Sequence, residues 1–113
     1  MGAKLPETFP RGRLIEDLAG RLAHHPAVER VWLFGSRARG DNLERSDIDL
    51  AIEAPSMRPY DWLKIKLDFE EEAPTLLLID LVRWEEAPEE LREQIRDEGI
   101  VVYERARAPA TTR

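Results

Sequence analysis

Hydrophobic and polar positions along the chain follow two periods, one typical of helices and one of strands, and the two alternate. Apolar residues at helical spacing predict helices that begin near Arg13, Trp62 and Pro88. Period-2 alternation or continuous apolar runs predict strands over 28–34, 48–52, 76–82 and 100–103. The last of the long runs, 76–82, is almost unbroken, which is typical of a central strand.

The order helix, strand, strand, helix, strand, helix, strand favours an α/β fold in which helices flank a small mixed β-sheet. The second strand follows the first too closely for a helical crossover, so this pair is expected to be antiparallel or irregular. We expect a single domain over 1–113, with its core at about 13–103 and flexible ends.

Composition excludes several classes of protein. The 113 residues include no cysteine, which removes thiol catalysis and cysteine-ligated metal centres. The net charge of −6 argues against general nucleic-acid binding, which relies on many contacts between basic side chains and phosphates. No run approaches the ~20 apolar residues that cross a bilayer, and the N-terminus has no apolar signal segment. These features predict a cytoplasmic protein without a membrane partner.

The most informative stretch begins where the first predicted strand ends, at Gly35 and Ser36. Glycine lets the backbone approach a ligand closely, and a helix that starts here would point its first amides at phosphate oxygens. The alternative is an ordinary turn after a strand, which is what an isolated Gly-Ser most often marks.

Two carboxylates open the second strand. Asp47 and Asp49 are two positions apart, so their side chains share a face and lie roughly 6.6 Å apart along the strand. Like charges at this spacing repel unless a cation lies beside them, and carboxylates together with substrate phosphates suit magnesium. The alternative is a solvated strand edge with acids facing water.

Asp80 is the one charge in the apolar run 76–82. A carboxylate inside a buried strand costs several kcal/mol without a partner. A metal shared with Asp47 and Asp49 would supply that partner. Two alternatives remain open: Asp80 lies at an exposed strand end, or it pairs with a distant arginine.

Three segments together carry a resemblance to a known family: GSRARG at 35–40, SDIDL at 46–50 and IDLV at 79–82. They resemble the minimal nucleotidyltransferases, the MntA-like branch of the polymerase-beta nucleotidyltransferase superfamily. The resemblance implies that Gly35 and Ser36 hold nucleotide phosphates, that Asp47 and Asp49 bind two Mg²⁺ ions, and that Asp80 completes the site at the acceptor hydroxyl.

The resemblance also implies a function. Such a protein moves AMP from ATP to an acceptor hydroxyl, commonly a tyrosine of a HEPN-family toxin, and acts as the antitoxin of a type VII-like pair. One alternative is a non-catalytic antitoxin that neutralises its partner by binding and occlusion. Transfer to a small molecule such as an aminoglycoside is a further alternative, but it usually needs an additional domain.

Three further side chains within these motifs are candidates for the site. Arg37 and Arg39 are candidates to clamp the triphosphate, because arginine pairs well with phosphate oxygens. Either could instead be a plain surface charge. Ser46 is a candidate to orient the Asp47 carboxylate, or it caps the turn before the strand.

Overall fold

The structure is a computed structural model that describes residues 5–6, 8–73 and 75–105. Its elements in chain order are α1 (Gly12–Ala23), β1 (Arg30–Phe34), α2 (Ser36–Arg39), β2 (Ile48–Glu53), α3 (Pro59–Glu72), β3 (Ile79–Arg83), a 3₁₀ turn (Trp84–Glu86), α4 (Glu89–Glu98) and β4 (Ile100–Glu104). Within the described part of the chain, no helix is long and apolar enough to cross a membrane.

The four strands form one sheet in the order β3-β2-β1-β4. Strand β1 is antiparallel to both β2 and β4, whereas β2 and β3 are parallel. The expected mixed sheet with flanking helices is therefore confirmed, and so is the antiparallel pairing of the first two strands. The connection from β2 to β3 contains α3, as a parallel crossover requires.

Side chains along β2 alternate between the two faces of the sheet, and their contacts show what each face packs against. Ile48, Leu50 and Ile52 point to the face where the main core lies, and this core includes the buried residues of α1. Asp49 and Ala51 point to the opposite face, where Ala51 packs with Phe34 and with Ile95 of α4. Asp49, and Asp80 that pairs with it, thus lie on the α4 side of the sheet.

The predicted central strand over 76–82 is wrong in both extent and place. Strand β3 begins at Ile79 and lies at the edge of the described sheet. Leu77 and Ile79 pack against the core, but Leu76 is fully exposed and Leu78 is 67% exposed. A strand covered on one face alone needs apolar residues only at alternate positions, so an unbroken leucine run does not show burial on both faces.

Packing begins before Arg13, where the core was expected to start. Leu5 is buried, and its N–H donates a hydrogen bond of 2.8 Å to the Glu16 carboxylate on α1. The remaining parts of the predicted flexible ends, residues 1–4, 7 and 106–113, lie outside the described residues.

Gly99 joins α4 to β4 at a point where an added Cβ would meet three neighbouring atoms. A Cβ at this position would clash with the Ile95 carbonyl oxygen and come within 3.1 Å of the Trp32 ring. We expect Gly99→Ala to lower the free energy of unfolding by about 1–3 kcal/mol, because the backbone of α4 and the ring must move apart. Urea denaturation measures this change.

Gly20→Ala is the matched control, because a Cβ at Gly20 of α1 would have no neighbour within 4 Å. Alanine in a helix interior should raise the free energy of unfolding by up to about 1 kcal/mol. Equal effects of the two substitutions would contradict the packing described at Gly99.

Candidate active site

Asp49 and Asp80 are directly paired in the parallel ladder of β2 and β3. Paired residues on adjacent strands point to the same face, and such strands lie about 4.8 Å apart. The register therefore brings together two acidic side chains that are thirty-one positions apart in the sequence. Asp80 is exposed because β3 is an edge strand. The expectation that Asp80 is a buried charge in need of a partner is wrong, and burial falls on Asp49 instead.

Burial raises the pKa of the Asp49 carboxyl above its ordinary value, and the negative charges of Asp80 and Asp47 raise it further. Asp47 itself is exposed and lies in the loop one residue before β2. Arg39 and Arg37 act on Asp49 in the opposite direction, with smaller effects. The three predicted carboxylates are therefore close enough to repel one another, and Asp49 is at their centre.

Gly35 lies under the Asp49 carboxylate. The antiparallel register pairs Phe34 with Asp49, so the chain leaves β1 beside this side chain. Gly35 has φ 76° and ψ −156°, a region that is essentially restricted to glycine. A Cβ here would also clash with Asp49 Oδ2. The structure thus requires glycine at this position for two independent reasons.

A short helix starts directly after this glycine. The N–H groups of Ala38 and Arg39 each donate to the Gly35 carbonyl oxygen at 3.1 Å. The amides of Ser36 and Arg37 precede these first intrahelical donors and have no helical acceptor available to them. Amides at the start of a helix favour anionic ligands, as expected for a loop that binds phosphate.

Arg37 is buried, with 3% of its side chain exposed. Its Nη2 donates to the carbonyl oxygens of Glu44 and Ser46, each at 2.8 Å, and its Nε donates to the Ser46 carbonyl at 3.1 Å. The interpretation of Arg37 as a plain surface charge is therefore wrong. The guanidinium is directed to backbone oxygens of the loop before β2.

Arg39 is exposed and forms ion pairs with Asp41 at 3.1 Å and with Glu98 at 3.3 Å. The hydrogen bonds to these two carboxylates raise the pKa of its guanidinium. Glu98 ties the end of α4 to the end of α2, and sequence reasoning missed it. Nothing in the sequence distinguishes this acid from the other charged residues of α4.

The Ser46 hydroxyl accepts a hydrogen bond from the Leu43 N–H at 2.9 Å, and the Ser46 N–H donates to the Leu43 carbonyl at 3.1 Å. Of the two roles considered for Ser46, this geometry matches the turn cap.

The donor chemistry of the site suits a hard divalent cation. Within the described residues, no group of three His, Asp or Glu side chains is arranged tightly enough to hold a metal without further ligands. Mg²⁺ does not need such a cage, because it binds through one or two carboxylates together with substrate phosphates and water. Asp49 and Asp80 are paired on adjacent strands, and Asp47 directly precedes β2, so the site brings together the carboxylate ligands that this ion uses and the residues present fit it.

A separate cavity of about 510 Å³ lies between α3 and the segment that ends in β3. Lys66 and Phe69 of α3 line one side, and Leu77 and Ile79 line the other. Asp80 borders this cavity, but its side chain alternates with Ile79 and shares the face of Asp49. The cavity and the acidic cluster thus occupy opposite faces of the sheet.

The family model described as polymerase beta nucleotidyltransferase matches residues 16–108. This match includes β1, the loop at Gly35 and all three aspartates. The chain belongs to this nucleotidyltransferase family. It is also 38% identical over 78 residues to a Haemophilus influenzae protein assigned as the protein adenylyltransferase MntA. That alignment covers 66% of this chain and 66% of the relative, slightly less than two thirds of its length.

Solved structures of nucleotidyltransferases share this fold. A chain from a crystal structure of a toxin-antitoxin with AMP-PNP aligns with a TM-score of 0.60 at 24% identity, covering 80% of this chain and 73% of that one. A Sulfolobus solfataricus protein assigned as a nucleotidyltransferase aligns with a TM-score of 0.56 at 25% identity, covering 82% and 79%. A chain from a complex of a tri-AMPylated Shewanella oneidensis HEPN toxin with its MNT antitoxin aligns at 0.55 and 22%, covering 82% and 72%.

The pKa of Asp49 gives a prediction with a defined sign. Its folded-state pKa is raised, so the ionised carboxylate destabilises the fold. This penalty is absent below the unfolded-state pKa of about 3.9 and is complete above the folded-state pKa. We expect Asp49→Asn to raise the Tm of the metal-free protein at pH 7 and to lose this advantage below about pH 4.

Calorimetry across this pH range makes the measurement, with Asp68→Asn on the exposed face of α3 as the control. A Tm for Asp49→Asn at or below that of the wild type at pH 7 would show that Asp49 is not under electrostatic stress.

Gly35 and Gly40 both have positive φ, but Gly40 has the left-handed helical conformation and no neighbour within 4 Å of an added Cβ. We expect Gly40→Ala to cost about 1–2 kcal/mol of stability from backbone strain alone. Gly35→Ala should cost more than about 3 kcal/mol, because its backbone region is closed to alanine and the added Cβ must also displace Asp49. Urea denaturation of both variants compares the two costs, and equal losses would place Asp49 away from Gly35.

Proposed function

We propose that the chain is a Mg²⁺-dependent adenylyltransferase that moves AMP from ATP to a hydroxyl of a partner protein. The hydroxyl oxygen bonds to the α-phosphorus, and pyrophosphate leaves. The acceptor we propose is a tyrosine of a HEPN-family toxin, and the chain then acts as the antitoxin of that pair. The reaction would take place in the cytoplasm, where ATP is available, and would use a single catalytic domain.

The ladder pairing of Asp49 with Asp80 carries this proposal. It joins the carboxylates of two separate motifs on one face of the sheet, beside the glycine loop that follows β1. A solvated strand edge would not require Gly35 to leave room for the Asp49 carboxylate. Carboxylates that lie close together suit the metal ions of a metal-nucleotide complex, and the amides at the start of α2, which have no helical acceptor, suit its phosphates.

The chain's own residues have separate tasks in this reaction. The amides of Ser36 and Arg37 bind phosphate oxygens of ATP and hold the triphosphate in line with the acceptor. Asp47 and Asp49 would hold the two Mg²⁺ ions, and Asp80 would share one of them. When bound, these ions lower the pKa of the attacking hydroxyl and neutralise charge on the phosphates. Asp80 would accept the hydroxyl proton, and its exposure on the edge strand supports this role with a protein substrate.

The relatives support the choice of partner. The Haemophilus influenzae protein is assigned as a protein adenylyltransferase, and two of the similar chains come from toxin-antitoxin structures. One of these structures holds AMP-PNP, and the other holds a HEPN toxin that carries three AMP groups. We extend to this chain the nucleotide, the acceptor class and the antitoxin role.

Exposed apolar side chains give some support to a second candidate function, the neutralisation of a partner by occlusion. Tyr60, Leu63 and Leu67 on α3 are exposed, as are Leu76 and Leu78 before β3. Such a surface could bind a partner protein and neutralise it by occlusion without catalysis. Occlusion alone, however, would not require three carboxylates that repel one another at Gly35.

The acidic residues distinguish catalysis from occlusion. We expect Asp47→Asn and Asp80→Asn each to lower the rate of labelled AMP transfer from ATP to the toxin by at least about 100-fold, because each removes a ligand for charge-stabilising metal. Both variants should also fail to relieve growth arrest when expressed with the toxin. Autoradiography and co-expression make the two measurements.

Asp97→Asn, in the exposed part of α4, is the control and should transfer AMP at the wild-type rate. Undiminished relief of growth arrest by the two active-site variants would favour occlusion. Wild-type transfer by either variant would contradict the proposed metal site.

A further inference from the structure

Among the residues that the structure describes, Arg37 is the one charged residue that is buried. Its three hydrogen bonds all end on carbonyl oxygens of the loop that connects α2 to β2, namely those of Glu44 and Ser46. Ser46 directly precedes Asp47. One side chain thus links the first turn of α2 to the residue before a candidate metal ligand.

The other contacts of this loop are weaker or more local. Leu43 and Ser46 exchange two hydrogen bonds within the same turn. An exposed ion pair between Arg11 and Glu44, at 3.5 Å, connects the loop to the start of α1. Exposed pairs of this length contribute little to stability. Beyond the turn, the next backbone bond runs from the Ile48 N–H to the Leu78 carbonyl, inside the sheet. Asp47 therefore lies between the sheet, which is held by its backbone hydrogen bonds, and a turn whose carbonyl oxygens are held by Arg37.

Burial of this guanidinium has a cost. Desolvation lowers its pKa, and the charge of Arg11 lowers it further, whereas Glu44 and Asp49 favour the charged form. Removing the side chain would leave the carbonyls of Glu44 and Ser46 without their buried donor. The loop would then have to move to find water, and Asp47 would move with it.

We propose that Arg37 is a positioning residue for metal binding and does not contact the triphosphate. By holding the Glu44 and Ser46 carbonyls, it keeps the backbone of Asp47 where its carboxylate can share a cation with Asp49. This inference rests on the proposed function, because it takes Asp47 and Asp49 as the metal ligands. It replaces the phosphate-clamp role that the sequence suggested for this arginine.

The test compares the full-length wild-type chain with Arg37→Ala, Arg37→Lys and Arg45→Ala. Arg45 is an exposed arginine of the same loop, so its removal changes the charge equally without removing the carbonyl contacts. Electron paramagnetic resonance of free Mn²⁺ gives the metal affinity. Isothermal titration with AMP-PNP at saturating Mn²⁺ gives the nucleotide affinity.

We expect Arg37→Ala to weaken Mn²⁺ binding by about tenfold or more, the range found when a group that orients a metal ligand is removed. Arg37→Lys should show a smaller loss in the same direction, because lysine lacks the fork that spans both carbonyls. Free guanidinium at low millimolar concentration should partly restore Mn²⁺ binding to Arg37→Ala. AMP-PNP affinity at saturating Mn²⁺ should change little in every variant, and Arg45→Ala should bind Mn²⁺ as the wild type does.

A phosphate clamp gives the opposite pattern, in which AMP-PNP affinity falls while Mn²⁺ affinity holds, and that result would overturn the inference. Wild-type Mn²⁺ affinity in Arg37→Ala would overturn it as well. If Arg37→Ala does not fold, as judged by circular dichroism, the same comparison is decided on Arg37→Lys. A wild-type chain that neither binds Mn²⁺ nor transfers AMP would contradict the proposed function itself, which is a distinct outcome.

Discussion

Mutual repulsion of the carboxylates at Asp47, Asp49 and Asp80 is the constraint on which the site depends. Burial, and then the charges of its two acidic neighbours, raise the pKa of Asp49, so ionisation of this carboxyl group is electrostatically unfavourable. The fold maintains this arrangement and places a glycine where a Cβ would collide with the same carboxylate. Carboxylates held close together against their repulsion are suited to bind divalent cations, which bring the positive charge that the site lacks.

Backbone register produces this crowding from distant parts of the sequence. Antiparallel pairing of β1 with β2 returns the chain to the level of Phe34 and Asp49, so Gly35 lies beneath the carboxylate. Parallel pairing of β2 with β3, reached through α3, aligns Asp80 with Asp49. Strand pairing at this end of the sheet therefore also sets the positions of Gly35, Asp49 and Asp80 in the site. The loop that carries Asp47 lies outside the ladder, and the guanidinium of the buried Arg37 constrains this loop by donating hydrogen bonds to the Glu44 and Ser46 carbonyl oxygens.

Periodicity and motif spacing predicted much of this arrangement, including the two strands around Gly35, their antiparallel pairing and the mixed sheet. The same-face relation of Asp47 and Asp49 stays a prediction, because Asp47 lies in the loop before β2. The third aspartate was chosen as the lone charge in an apolar run, and the register pairs it with Asp49. Burial was less predictable. The apolar run at 76–82 suggested a central strand, whereas β3 is an edge strand that begins at Ile79, and the exposed Leu76 and Leu78 precede it. Likewise, nothing in the polar segment around Arg37 indicates that its guanidinium is directed to carbonyl oxygens.

Anomalous diffraction from crystals soaked with Mn²⁺ and AMP-PNP tests the central claim most directly. The account predicts manganese peaks within coordination distance of Asp47 and Asp49, one of them shared with Asp80, and triphosphate oxygens against the amides after Gly35. Manganese bound elsewhere, or a nucleotide seated in the cavity between α3 and β3 on the opposite face of the sheet, would contradict it.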